Sequence, residues 1–260
     1  MRSGTRYSKI DMLQSLKKYR NGVFLLLVAA CVLGNVVAYR LVLKSYAQAR
    51  SAAVFPSHES LNAGKNGAVS LKTGPRIVLF GDSRIEQWRN FPDPADAEVV
   101  NNGIGGETTA QMRIRFERDV LALKPDIVVL QLGINDLVAI GALPDRQAEI
   151  VSQCGGNIRY FVDTLQSRGI RTVLLTVIPP ATPPIWRLPV WSREIAVEVE
   201  RLNRSWLAVT SPPALSVVDT ASLLKDADGH WHDGVVADAL HITPRGYEYL
   251  NAAVAPLLQH

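Results

Sequence analysis

The sequence has little cysteine, two in 260 residues. Cys31 falls inside an apolar run and Cys154 far beyond it, so an intramolecular disulfide framework is excluded and the fold must be held by its core. Internal repeats and low-complexity tracts are lacking as well, which leaves nothing to compete with an ordinary packed domain. A complete metal-ligand set is missing. His230-Trp231-His232-Asp233 has no third and fourth ligand elsewhere, and Asp226-Ala227-Asp228-Gly229 lacks the distal glutamate of a calcium loop. The first reads as a solvated loop or a cleft wall, and no metal is expected. Acid is nearly absent from residues 1–44, where Asp11 stands alone against eight basic residues. The remaining chain carries 20 basic and 23 acidic residues. The overall charge of +4 therefore reports the amino-terminal tail, which argues against a nucleic-acid binder with a basic face.

What is there begins with residues 22–39, which carry no charge over 18 positions; Leu41 to Leu43 extend them if Arg40 snorkels. That length spans a bilayer. The six basic residues ahead of it place the amino terminus in the cytoplasm by the positive-inside rule, so the chain from about residue 45 lies on the far side. A cleaved signal peptide is the alternative, with Ala47-Gln48-Ala49 as its cleavage site; the long apolar run and long basic region favour an uncleaved anchor. The expected organisation is a cytoplasmic basic tail over 1–21, a transmembrane signal-anchor over 22–43, a linker over 44–74 and a folded domain over 75–260. The linker assignment rests on its Ala, Ser, Gly, Asn and Lys content and weak periodicity.

From Arg76 onward strand and helix patterns alternate. The apolar runs at 77–80, 98–101, 126–132, 172–178 and 216–219 predict five strands. Helical patterns are predicted over 85–89, 108–123, 146–167, 192–209 and 243–258, with Gly155-Gly156 weakening the third. Such βα repetition predicts an α/β fold, a parallel sheet between two helix layers. A proline-rich loop, 179–189, leaves the fourth strand at its carboxyl end. Its Trp186 and the following Trp191 are read either as a substrate platform or as anchors of the loop to the core.

Polar punctuation recurs at the carboxyl ends of these strands, the edge where open α/β sheets bind ligands. Gly81-Asp82-Ser83-Arg84 follows the first strand. Asp and Ser are also helix-capping residues, so these four positions alone leave an N-cap and a reactive serine both open. Acyl transfer through a serine needs an imidazole base and a carboxylate to orient it, and Asp238 and His241 supply both from one turn. The backbone N–H of Ser83, that of a glycine and the side-chain amide of Asn135 are available for an oxyanion.

In these blocks the chain resembles the SGNH/GDSL hydrolase family. Gly81-Asp82-Ser83 matches its first block, Asn101 to Thr109 its glycine block, Gly133-Ile134-Asn135-Asp136 its G-x-N-D block and Asp238-Ala239-Leu240-His241 its D-x-x-H block. The resemblance implies a three-layer, flavodoxin-like α/β/α domain with no metal or organic cofactor, acting on esters and thioesters. It implies Ser83 as nucleophile, His241 as base and Asp238 as its orienter. It places the oxyanion hole at Ser83, Gly106 and Asn135, with Gly105 the alternative register of the glycine. The expectation is an extracytoplasmic, membrane-anchored serine esterase acting on an O-acetylated glycan or a lipid ester. An O-acyltransferase using the same residues and a non-catalytic envelope-assembly module are the rival readings.

Overall fold

The computed structural model describes residues 9–56, 74–92, 94–209 and 214–259. The chain divides into two units, Met1–Tyr46 and Ala47–His260. Helix α1, Lys9–Val54, runs unbroken through the apolar stretch, and it is the one described helix long and apolar enough to cross a membrane. Its apolar side chains are bare, Phe24 being 65% and Leu26 71% exposed. The predicted basic tail falls partly on residues 1–8, outside the described residues. Residues 44–54, read as linker, are instead helical; their alanines favour helix, and weak periodicity did not reveal it.

Five strands form the sheet of the second unit: β1 Arg76–Gly81, β2 Glu98–Gly103, β3 Ile127–Gln131, β4 Arg171–Leu175 and β5 Leu215–Val218. All neighbours pair parallel in the order β2-β1-β3-β4-β5. Strand side chains alternate between two apolar layers. Val78, Phe80, Val128, Leu130 and Leu174 enter one layer; Ile77, Leu79, Ile127, Val129 and Val173 enter the other. Near-continuous apolar strands are what a parallel sheet covered on both faces demands.

The helices are α2 Ser83–Glu86, α3 Thr109–Asp119, α4 Ile134–Val138, α5 Gln147–Ser167, α6 Glu194–Leu207, α7 Thr220–Leu224 and α8 Pro244–Val254. The layer containing Phe80 is filled by α3, α5 and α6, with Phe80, Phe116 and Phe161 in mutual contact at centroid distances of 4.8 to 5.9 Å. Each such buried ring contributes about 2 kcal/mol of apolar burial. The opposite layer takes Ile85, Trp88, Tyr247 and Leu250. Helix α5 passes through Gly155-Gly156 without a break, because Ile150, Cys154, Ile158 and Phe161 bury its inner face and outweigh a cost of about 1 kcal/mol per glycine. By contrast α2 is a single turn rather than reaching Arg89. The chain leaves it at Gln87 so that Trp88 can pack edge-on to Phe91 and beside Tyr247.

The strand order puts β2 on one side of β1 and β3 on the other. Connections leaving β1 and β3 therefore diverge, and a crevice opens at their carboxyl ends.

Candidate active site

Asp82 and Ser83 occupy that crevice with separate tasks. Asp82 is the N-cap of α2, its Oδ1 accepting from Arg84 N at 3.0 Å. Ser83 is the first helical residue, and its Oγ lies 2.9 Å from His241 Nε2. The capping reading of the tetrapeptide is thus realised on Asp82, which leaves the Ser83 hydroxyl free of the cap and beside His241. His241 Nδ1 lies 2.9 Å from Asp238 Oδ2, and Asp238 Oδ1 accepts from the backbone N–H of Leu240 and His241 at 2.7 and 3.0 Å. The carboxylate thereby builds the turn that presents the imidazole. Partial burial pushes Asp238 upward, but the hydrogen bonds from His241 and from the two backbone N–H groups outweigh it and bring it down to about 2.

Asn135 sits in the first turn of α4 after Gly133, whose φ of 110° only glycine adopts without strain. A Cβ there would also come within 3.2 Å of Cys154 Sγ. Asn135 Nδ2 donates to Glu107 O at 3.0 Å, which ties it to the glycine loop. Within that loop Gly106 has φ 78° and open space around it, while a Cβ on Gly105 would lie 3.8 Å from that of Ser83. Asp136 is wholly buried and accepts from Thr109 N and Oγ1 at 2.9 and 2.7 Å. Burial pushes its carboxyl up to about 7 against those hydrogen bonds.

Two buried arginines that the sequence did not reveal frame the site. Arg84 donates through Nε to Leu240 O at 2.7 Å and through Nη1 to Ile178 O at 2.9 Å, while its own carbonyl accepts from Tyr247 Oη at 2.7 Å. It therefore links the residue after Ser83 to the residue before His241. Burial lowers it to about 10, with Asp82 opposing that shift. Arg115 pairs with Glu107 and Asp119, reaches Asn102 O and Gly81 O, and lies over the Phe80 ring. Nothing in the sequence separates either arginine from a solvated one.

The two loop tryptophans part company. Trp186 is 80% exposed and lines an open cleft of about 620 Å³ with Pro183, Trp231, His232, Asp233 and Asp238. Trp191 instead packs half-buried against the core, where Gly141 leaves room for it: a Cβ on Gly141 would meet Val190 O and Trp191 Cα. Of the substrate platform expected at Trp186 and Trp191, only the first faces the cleft. Of the HWHD stretch, Trp231, His232 and Asp233 form a cleft wall, with His232 stacked on Tyr249 at 5.0 Å. Asp226, Asp228 and His230 cluster on the exposed side, where Asp226 Oδ1 already accepts the backbone N–H groups of Asp228 and His230.

A 2-1-3-4-5 parallel sheet with a hydrogen-bonded serine and histidine at its switch-point edge defines a serine ester hydrolase of α/β/α architecture. Residues 79–249 match the model of the GDSL-like Lipase/Acylhydrolase family, and the chain belongs to that family. It is 27% identical over 208 residues to an isoamyl acetate-hydrolyzing esterase 1 homolog of Bos taurus, covering 71% of this chain and 82% of that one. It is 31% identical over 119 residues to lipoprotein YqeF of Bacillus subtilis strain 168, covering 40% of this chain, and the match spans about half, 48%, of that relative's length. Among solved structures, a GDSL-like lipase of Bacteroides thetaiotaomicron shares the fold with a TM-score of 0.58 at 23% identity, covering 83% of this chain and 96% of that one.

Proposed function

We propose that the chain is a membrane-anchored, extracytoplasmic esterase in which Ser83, His241 and Asp238 hydrolyse a carboxylic ester through an acyl-enzyme. The observation that carries this reading is the unbroken pair of 2.9 Å contacts from Ser83 Oγ to His241 Nε2 and from His241 Nδ1 to Asp238 Oδ2. His241 takes the proton of Ser83 as Oγ attacks the acyl carbonyl, and Asp238 stabilises the imidazolium that forms. The carbonyl oxygen, becoming an oxyanion, accepts from the backbone N–H groups of Ser83 and Gly106 and from the Asn135 amide. The ester C–O bond breaks as His241 returns the proton to the leaving alcohol. Water, deprotonated by His241, then releases the acid and frees Ser83.

The open cleft with its exposed indole supports an acylated glycan over a long-chain lipid: Trp186 can lie against a sugar face, and Asp233 and His232 can bond hydroxyls. The esterase relative supports a small acyl group. The bare apolar helix and the lipoprotein relative support membrane attachment, and the basic residues before the helix support a cytoplasmic amino terminus, with the boundaries 1–21, 22–43 and a hydrolase domain beyond. The test is hydrolysis of p-nitrophenyl acetate by the full chain in detergent. Wild type turns over, and Ser83→Ala and His241→Ala lose about 10³-fold or more in kcat. Equal rates for wild type and Ser83→Ala would overturn the reading.

A further inference from the structure

The last turn of α1 belongs to the hydrolase unit. Val54 is fully buried among the residues of the Phe80 layer. Phe55 lies under the guanidinium of Arg146, 3.6 Å from ring centroid to Cζ, and the same arginine donates to Ser51 Oγ at 3.1 Å. A helix end leaves its last carbonyls without intrahelical donors. Here two of them are met by side chains from the domain: Gln153 Nε2 donates to Val54 O at 3.0 Å, and Thr108 Oγ1 to Ala53 O at 2.5 Å.

Thr108 is the point where this docking meets the active site. It is the N-cap of α3, closing a reciprocal pair of hydrogen bonds with Gln111. It directly follows Gly106 and Glu107, and Glu107 O holds the Asn135 amide. The next residue, Thr109, is held by Asp136 through both its N–H and its hydroxyl. The loop is therefore gripped on its inner side by Asn135 and Asp136 and on its outer side by Ala53.

We propose that the segment Ala53–Phe55, at the end of the anchor helix, is a positioning element of the oxyanion hole. By bonding Thr108 and filling the core beside it, the segment fixes the backbone that aims the Gly106 N–H and seats the Asn135 amide. This rests on the assignment of Gly106 and Asn135 as oxyanion donors. Misplacing such donors weakens the transition state and leaves ground-state binding largely untouched, so the loss falls on kcat.

The experiment uses the full chain in detergent with p-nitrophenyl acetate, below the lowest melting temperature of the set. Val54→Ala, Phe55→Ala and Thr108→Val are each expected to lower kcat about tenfold with KM within about twofold. Thr108→Ser, which keeps the hydroxyl, restores kcat. The shape of the pH–rate profile stays that of wild type in every variant, since Ser83, His241 and Asp238 are untouched. Should Val54→Ala fail to fold, Phe55→Ala, altering a partly exposed ring, carries the test. Wild-type kcat in Phe55→Ala and Thr108→Val, with only melting temperature lowered, would overturn the proposal, as would a loss confined to KM. A Ser83→Ala chain that still turned over would point instead to failure of the site assignment beneath it.

Discussion

Arg84 places a guanidinium where no solvent reaches it, directly between the serine turn and the histidine turn. Its two carbonyl partners, Leu240 O and Ile178 O, come from different loops, so the side chain is a strut holding them at fixed distance from Ser83. Replacing it with methionine leaves both carbonyls and Asp82 without their cation. Arg84→Met is expected to cost about 3 kcal/mol of stability by denaturant unfolding and to lower kcat more than KM; Arg84→Lys, keeping charge but one-point geometry, falls between. Asp238 yields a sharper prediction. Asp238→Asn keeps the shape of the turn but no longer holds Nδ1 protonated, so kcat is expected to fall by about 10²- to 10⁴-fold with melting temperature little changed. Because its carboxyl is held near 2 in the fold, ionised Asp238 favours the native state above its ordinary value near 3.8, and that contribution is lost as pH falls from there through about 2. With the side chain 53% exposed, the effect on stability is small.

At the scale of elements, two glycine-bearing turns, at Gly106 and Gly133, carry the proposed oxyanion donors. Gly133→Ala forces a left-handed backbone onto alanine and drives a methyl toward Cys154, Val177 and Ile158. It is expected to cost about 2 kcal/mol, read as a lower melting temperature. Asp136, which joins the two turns through Thr109, titrates in the opposite sense to Asp238. Raised to about 7 by burial, it keeps its proton in the fold at pH values where the unfolded chain has lost it, so its contribution to stability declines as pH rises from about 4 to 7. In Asp136→Asn that part of the slope of stability against pH should vanish, which a melting series across the range would show. Much of this was legible in the chain: apolar runs gave all five strands to within a few residues, and their ends gave the polar blocks. What was not legible has physical reasons. The helix over 44–54 lacks an apolar stripe, because only Val54 and Phe55 engage the core. The single turn of α2 is cut short by Trp88 packing, a tertiary effect. Arg84 and Arg115 look like surface residues in sequence because the carbonyls that bury them, Leu240 O and Ile178 O for the first, Asn102 O and Gly81 O for the second, come from other segments, and the Arg115–Asp119 pair one turn apart reads as an ordinary surface pair. Trp186 and Trp191 share one loop, yet only the backbone approach at Gly141 decides which of them faces solvent.

For the molecule as a whole, the same chain carries the apolar helix and the proposed esterase site. The positive-inside argument predicts sidedness, and the two native cysteines give little background because Cys31 lies in the apolar span and Cys154 is buried. In right-side-out vesicles a membrane-impermeant maleimide should label Asp228→Cys, which is on an exposed loop, and should spare Ser3→Cys until the membrane is opened. The reverse pattern would contradict the proposed topology.

That Ser83 is a nucleophile activated by His241 underlies every catalytic proposal above. It is tested most directly by treating the folded full-length protein with a fluorophosphonate and mapping the adduct by mass spectrometry. One adduct is expected, on Ser83, absent in Ser83→Ala and strongly slowed in His241→Ala. A folded wild-type chain that takes no label, or takes it on another residue, would contradict it.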